Sequence, residues 1–152
     1  MNAIELLKSD HQEASTMMEQ IETADKGDRS AKELFNQLKQ ALTLHTQIEE
    51  QILYPALKSF DETKDWVPEA INEHQEVDDI LAEMSALSPG NDEFMDKLTE
   101  LRDAVEHHVE EEETDIFPKC EQVFGQSRLD EMGRQMEQMK QGKSATATNK
   151  RR

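Results

Sequence analysis

The chain has 152 residues, a length typical of one compact domain, and 34 acidic against 17 basic side chains give it a formal net charge of −17. Such a charge repels phosphate groups and therefore argues against nucleic acid as a partner. No stretch approaches the roughly 18 consecutive apolar residues of a membrane span. The single cysteine, Cys120, excludes an internal disulfide and a cysteine-based zinc site. Together with the absence of a signal-peptide pattern in residues 1–20, it favours a cytoplasmic location.

Apolar side chains recur at steps of three and four residues along four stretches, which predicts four amphipathic helices. The first stretch runs from Ile4 to Ile21 and the second from Leu38 to Ala56. The third runs from Val67 to Met84 and the fourth from Phe94 to Ile116. We therefore predict an all-α fold built as an antiparallel up-down four-helix bundle.

Helix-breaking residues fall between or near the ends of these stretches. Gly27 separates the first two helices, and Pro89 separates the third from the fourth. Pro55 and Pro118 lie inside or at the ends of their helices, so we expect them to kink or terminate those helices at matching depths.

The C-terminal part of the chain predicts a short extra helix and a disordered basic tail. Residues 126–141 carry a helical stripe of Leu129, Met132, Met136 and Met139. This stripe either covers the end of the bundle, which the pattern favours slightly, or forms a partner surface, for example in a homo-oligomer. Residues 142–152 show no periodicity. We therefore divide the chain into a bundle of residues 1–125, the helix and the tail.

The two halves of the bundle repeat each other with an offset of 63 residues. The segment DHQEASTMMEQI, from Asp10, recurs in outline as EHQEVDDILAEM, from Glu73. Likewise HTQIEEQILYP, from His45, recurs as HVEEEETDIFP, from His108. Two segments that share one offset indicate a duplicated two-helix unit.

Six side chains with metal-binding chemistry occupy inward positions of the stripes: His11, His45, Glu49, His74, His108 and Glu112. Each glutamate follows a histidine by four residues, so both side chains of a pair project from one face of a helix. A single histidine on an apolar stripe is more often a core residue than a ligand, but two buried carboxylates need a partner of opposite charge. Imidazoles and carboxylates bind iron, manganese and zinc. The pattern therefore predicts a metal site, and bridging carboxylates suit a dinuclear one.

These six residues, in this order and spacing, resemble the hemerythrin-like, HHE cation-binding domain family. The aromatic-proline endings Tyr54-Pro55 and Phe117-Pro118 belong to the same resemblance, which covers about residues 4–124. It implies an up-down four-helix bundle around a non-haem di-iron site. By the resemblance the four histidines are terminal ligands and the two glutamates bridge two iron ions, which share an oxo or hydroxo bridge when oxidised. Manganese or zinc could replace the iron.

One position departs from the hemerythrins that carry dioxygen. Those proteins have a second histidine one turn after the histidine of the third helix, and this chain has Asp78 there. Two octahedral ions have twelve coordination positions. Ten of them are filled by four histidines, two bridging carboxylates and a solvent-derived bridge, so one position stays open on each ion unless Asp78 also binds. The chain resembles the four-histidine, two-glutamate members, for which nitric-oxide response, iron-centre repair and redox sensing are proposed. It lacks the Cys-bearing N-terminal segment usual in the repair members, which argues against that role.

Three functions remain open at this point. The first is a binding or sensing protein for dioxygen or nitric oxide. The second is a di-iron redox enzyme that reduces peroxide or nitric oxide in the response to oxidative or nitrosative stress. The third is a bundle that a metal ion stabilises without redox work. Whether the chain is an enzyme is left undecided by the sequence.

Two other side chains lie close to the predicted ligands. Tyr54 either places a phenol near the site or packs beneath the kink, and the pattern favours packing. His107 points about 100° away from His108 around the helix, so we expect it behind the ligands or on the surface.

Overall fold

The computed structural model describes residues 1–24 and 29–150, with side chains to residue 142. The four predicted helices are present as α1 (Ala3–Thr23), α2 (Arg29–Ile48), α4 (Trp66–Ser85) and α5 (Asp92–Glu111). Helix α1 packs against α2, α4 packs against α5, and the two pairs pack on each other. The described residues contain no strand, and the all-α bundle is confirmed. The predicted break at Gly27 lies outside the described residues.

Side-chain caps fix where two of these helices begin. Asn2 accepts a hydrogen bond from the backbone N–H of Glu5, and the Glu5 carboxylate accepts one from the backbone N–H of Asn2, each at 2.9 Å. Asn91 caps α5 by accepting from the backbone N–H of Glu93. These bonds satisfy amides that the first helical turn leaves free, and they hold the register of each inward stripe.

Two apolar clusters fill the bundle, and the predicted ligands lie between them. On α1, for example, His11 lies between Leu7, which belongs to one cluster, and Ala14, which belongs to the other. On each of the other three helices the histidine likewise lies between residues of the two clusters. A layer of polar side chains is therefore enclosed by apolar side chains on both sides.

The helices that carry the two glutamates widen for one turn and then continue. Each widened turn is π-helical and leads into a short α-helix: π1 (Glu49–Leu53) into α3 (Tyr54–Lys58), and π2 (Glu112–Ile116) into α6 (Phe117–Phe124). Pro55 and Pro118 follow these turns and end neither helix, contrary to one of the two expected outcomes. Because proline has no N–H to donate to the preceding turn, a wider turn just before it accommodates the missing hydrogen bond.

The last helix, α7 (Gln126–Lys150), packs against α1, α2 and α6. Its stripe is buried at Leu129, Met132 and Met136 and partly buried at Met139, so these side chains cover the bundle of their own chain rather than forming a partner surface. Gly133 allows the close approach, because a Cβ there would lie on the carbonyl oxygen of Met1 and 2.8 Å from the Asn2 backbone.

The predicted disordered tail is partly helical in the structure. Helix α7 continues past its expected end at residue 141 to Lys150. The added segment contains no proline, the residue that disfavours a helix interior most strongly. Residues 151–152 lie outside the described residues. None of the helices in the described part of the chain combines the length and apolar character needed to span a membrane.

Candidate metal centre

The structure brings all six predicted ligand residues together at the centre of the bundle. Each is buried, and both glutamates are 0% exposed. One group joins His11, His45, Glu49 and Glu112, and a second joins Glu49, His74 and His108. Within each group, one ligand atom from every residue lies within 4.8 Å of the others. Glu49 belongs to both groups, so its carboxylate lies between the two halves of the repeat.

Each histidine directs its Nε2 atom toward the Oε1 atom of a buried glutamate. The Nε2–Oε1 distances are 3.0 Å for His11 and Glu112, 2.9 Å for His74 and Glu49, 3.3 Å for His45 and Glu49, and 3.4 Å for His108 and Glu112. The offset of the sequence repeat therefore reappears as a pseudo-symmetric arrangement of ligand atoms.

Four of these atoms are buried and have no hydrogen-bond partner among the residues that the structure describes. They are His45 Nε2, Glu49 Oε2, His108 Nε2 and Glu112 Oε2. Buried polar atoms in proteins are almost always paired, because an unpaired one costs the free energy of its lost hydration. A cation among them would satisfy imidazole nitrogens and carboxylate oxygens together, so the donor set fits a metal ion of the iron, manganese or zinc type.

A second carboxylate holds the outer nitrogen of each histidine ring. The Nδ1 atoms lie 2.7 Å from Glu113 for His11, 3.0 Å from Asp10 for His45, 2.7 Å from Glu50 for His74, and 2.6 Å from Glu73 for His108. When Nδ1–H donates to a carboxylate, the Nε2 lone pair of the neutral ring is free to bind a metal.

Sequence reasoning did not identify these four carboxylates. The signal was present, because Asp10 and Glu73 are related by the same offset of 63 residues, and so are Glu50 and Glu113. The acidic run around Glu112 suggests a solvated face, and only the folded structure shows that Glu113 reaches His11.

Without a metal ion, the centre is an array of charged pairs. Burial lowers the pKa of His45, but the charge of Glu49 and the hydrogen bond to Asp10 outweigh it and raise the pKa to about 10. Burial also lowers the pKa of His108, but the charge of Glu112 and its hydrogen bond to the ring raise this pKa by more. The pKa of His108 therefore lies above its ordinary value. Burial raises the pKa of Glu49, whereas the charge of His45 lowers it well below its usual range. Metal binding would therefore displace protons from the histidines.

Tyr54 reaches the centre, which corrects the interpretation that it only packs. Its hydroxyl lies 3.0 Å from His74 Nε2 and donates to Glu49 Oε1 at 3.4 Å. Burial and the charge of Glu49 raise the pKa of the phenol, so it keeps its proton. Phe117, its counterpart in the repeat, stacks on His11 with ring centroids 5.8 Å apart. One half of the centre therefore has a hydroxyl that the other half lacks.

Two other residues are outside the buried groups of ligand atoms. Asp78 is exposed and belongs to neither buried group of ligand atoms. His107 is 65% exposed, as expected for a residue behind the ligands or on the surface.

A small cavity adjoins the histidine rings. It has a volume of about 180 Å³, and its walls include Ala14, Leu42, Val77 and Val105 beside all four ligand histidines. Asp10 and Lys140 also line it and form an ion pair, through which α7 contacts the carboxylate that holds His45. An apolar space of this size can hold a small uncharged molecule beside the histidine rings.

Comparisons with known proteins agree with this geometry. The family model for the Hemerythrin HHE cation binding domain matches residues 2–120. A protein from Nostoc sp. (strain PCC 7120 / SAG 25.82 / UTEX 2576) named DNA nickase is 31% identical over 117 residues, which cover 77% of this chain and 33% of that protein. An uncharacterized hemerythrin-like protein from Schizosaccharomyces pombe is 26% identical over 133 residues, 86% of this chain and 65% of that protein.

A solved structure is also similar. It is the crystal structure of a hemerythrin HHE cation binding domain-containing protein from Mycobacterium kansasii. The TM-score is 0.85 at 27% sequence identity, with 99% of this chain and 93% of that chain covered. The chain thus spans nearly all of this structural relative but only a third of the nickase and about two thirds of the yeast protein.

Proposed function

Since the chain belongs to the hemerythrin HHE cation-binding domain family, we propose that it is a non-haem di-iron protein that binds or senses dioxygen or nitric oxide. The observation that carries the proposal is the set of four unpartnered nitrogen and oxygen atoms at the buried centre. Bound iron would supply the affinity for such diatomic ligands and the redox chemistry that they require.

The chain's own residues have distinct roles in this proposal. His11, His45, His74 and His108 would each hold iron through Nε2, and the carboxylates on their Nδ1 atoms orient the rings. Glu49 and Glu112 would bridge, because each contacts histidines from more than one helix. The Tyr54 hydroxyl beside His74 and Glu49 makes the two halves of the centre inequivalent.

The cavity beside the centre supports a small, weakly polar ligand. Its volume of about 180 Å³ is ample for a diatomic molecule, and apolar walls do not favour charged ligands. Dioxygen and nitric oxide match both features.

Metal content and a visible spectrum test the proposal. We expect two iron ions per chain after purification or anaerobic loading, and a change in the visible spectrum when dioxygen or nitric oxide is mixed with the reduced protein. Glu112→Gln should lose at least one iron, whereas Glu110→Gln, the same change at an exposed neighbour, should retain both. Iron at the level of a chelated control would contradict the proposal. If metal is bound but the visible spectrum is unchanged by the reductant, dioxygen and nitric oxide, the metal has a structural role instead.

One observation favours a second function, the reduction of peroxide or nitric oxide. The Tyr54 hydroxyl, which keeps its proton, lies 3.0 Å from a predicted ligand nitrogen, so it is a hydrogen-bond donor beside the centre. With an excess of a chemical reductant as the electron donor, steady-state consumption of hydrogen peroxide by the iron-loaded protein should then saturate with substrate and vanish in Glu49→Ala. Turnover no faster than that of free ferrous ion would rule this function out.

The DNA-cleaving role stated in the name of the Nostoc relative is disfavoured for this chain. The formal net charge of −17 repels the phosphate backbone of DNA, and the chain spans only 33% of that protein.

A further inference from the structure

A second group of metal-binding side chains lies on the surface where α4 and α5 meet. His107 Nε2 is 3.4 Å from Glu73 Oε2 and 3.3 Å from Glu111 Oε1. The three ligand atoms all lie within 4.8 Å of one another. His107 and Glu111 are four residues apart on α5, which is the spacing of the buried pair His108 and Glu112, and Glu73 approaches from α4.

The distances within this group suit a bound cation better than hydrogen bonds. Protein N–H···O hydrogen bonds are usually about 2.7–3.2 Å long, shorter than both separations. Two ligands of a tetrahedral ion with bonds of about 2.0–2.1 Å lie about 3.3–3.4 Å apart. Moreover, Glu73 Oε2 is buried and has no hydrogen-bond partner within the described part of the chain. An ion among the three side chains would satisfy that oxygen.

The surroundings favour a cation that arrives from solvent. His107 is 65% exposed, so its ring is open to the solution. It lines an open groove between α4 and α5 whose other charged residues are Glu76, Asp79, Glu83, Glu100, Asp103 and Lys97. Lys97 pairs with Glu83 and Glu100, so the groove keeps an excess of negative charge. Such a field concentrates cations near the group.

We propose that Glu73, His107 and Glu111 form an accessory site for one divalent metal ion of borderline character, such as Zn²⁺ or Fe²⁺. One nitrogen and two carboxylate oxygens bind the ion, and water completes its shell. The other oxygen of Glu73, Oε1, accepts a hydrogen bond from His108 Nδ1 at 2.6 Å. The Glu73 carboxylate would therefore bind the surface ion through one oxygen and hold the His108 ring through the other. This surface site goes beyond the proposed function.

Zinc stoichiometry tests the accessory site. The metal-free chain is dialysed against increasing Zn²⁺, and bound zinc is measured by mass spectrometry. We expect three ions per chain in the wild type and two in His107→Ala and in Glu111→Gln, with affinity for the third ion lowered at least tenfold. Glu110→Gln makes the same chemical change one residue away on an exposed position and should keep three.

The outcomes separate the accessory site from the buried centre. If the buried centre binds no metal, the wild type still takes up one zinc ion that His107→Ala abolishes. Zinc uptake of the same stoichiometry and affinity in the wild type, His107→Ala and Glu111→Gln would overturn the proposal.

A spectroscopic measurement gives a second reading. Both varied side chains lie at the surface, so the variants should keep the far-ultraviolet circular dichroism of the wild type. Zn²⁺ should shift the imidazole NMR signals that disappear in His107→Ala. Unshifted His107 signals at saturating zinc would also contradict the site.

Discussion

The hydroxyl of Tyr54 can be removed from the metal centre with little other change. Tyr54→Phe keeps a ring that is 1% exposed, while it deletes the oxygen 3.0 Å from His74 Nε2 and 3.4 Å from Glu49 Oε1. A hydrogen bond to a charged group contributes about 1.5–3 kcal/mol, and the long contact to Glu49 places this one near the lower value. We therefore expect the metal-free chain to lose about 1.5 kcal/mol of unfolding free energy. Residues next to metal ligands typically change affinity 10–100-fold, so iron should bind about tenfold more weakly.

Urea unfolding, followed by circular dichroism on the metal-free and iron-loaded protein, measures both effects. The loaded form should show the larger loss, because it combines the missing hydrogen bond with weaker binding. The sequence repeat supplies a matched variant, since Phe117 is the counterpart of Tyr54 and stacks on His11. The double change Tyr54→Phe, Phe117→Tyr moves the hydroxyl to the other half of the centre and should recover part of the lost affinity. Unchanged stability and iron affinity in Tyr54→Phe would refute this account of the phenol.

Three further predictions concern pH, the cysteine and the close contact of α7. In the metal-free chain the pKa of His45 is raised to about 10 from the ordinary histidine value of 6.5. The charged His45 therefore stabilises the folded state fully below pH 6.5, and this stabilisation is lost as the pH rises toward 10. The pKa of Glu49 is lowered, so its contribution is present above 4.5 and fades in acid. The urea midpoint of the metal-free chain should thus be lower at pH 9.5 than at pH 6, and an equal midpoint would contradict the pairing. Burial and the charge of Glu112 raise the pKa of the Cys120 thiol to about 12, so iodoacetamide at pH 8 should label the folded protein at least tenfold more slowly than the urea-unfolded chain. Comparable labelling rates would show that the thiol is accessible. Gly133→Ala places a methyl group against the backbone of Met1 and Asn2 and should cost about 1–3 kcal/mol in thermal unfolding. Gly142→Ala meets no atom of the described residues within 4 Å and should not destabilise the protein. Equal melting temperatures for the two variants would exclude the clash.

The sequence predicted the bundle and its six central residues because both follow from local spacing. Steps of three and four residues define the buried face of each helix, and a histidine and a glutamate four residues apart share that face in any α-helix. The repeat then relates one half of the chain to the other. The same local rules could not place Tyr54, because the helix turns by a different angle through π1 than an α-helix does. They also gave no reason to extend α7 past residue 141, where the apolar stripe ends.

The charge of −17 is a property of the sequence, and it argued against nucleic acid as a partner before the fold was considered. Periodicity and repetition placed the histidines and glutamates on the inward faces of the four helices. Only the tertiary structure decided which acidic side chains hold the rings, since Glu113 meets His11 across 102 residues of chain and Asp10 meets His45 across 35. Partners so distant in sequence depend on which helix faces which, and spacing along a single helix carries no information about that choice.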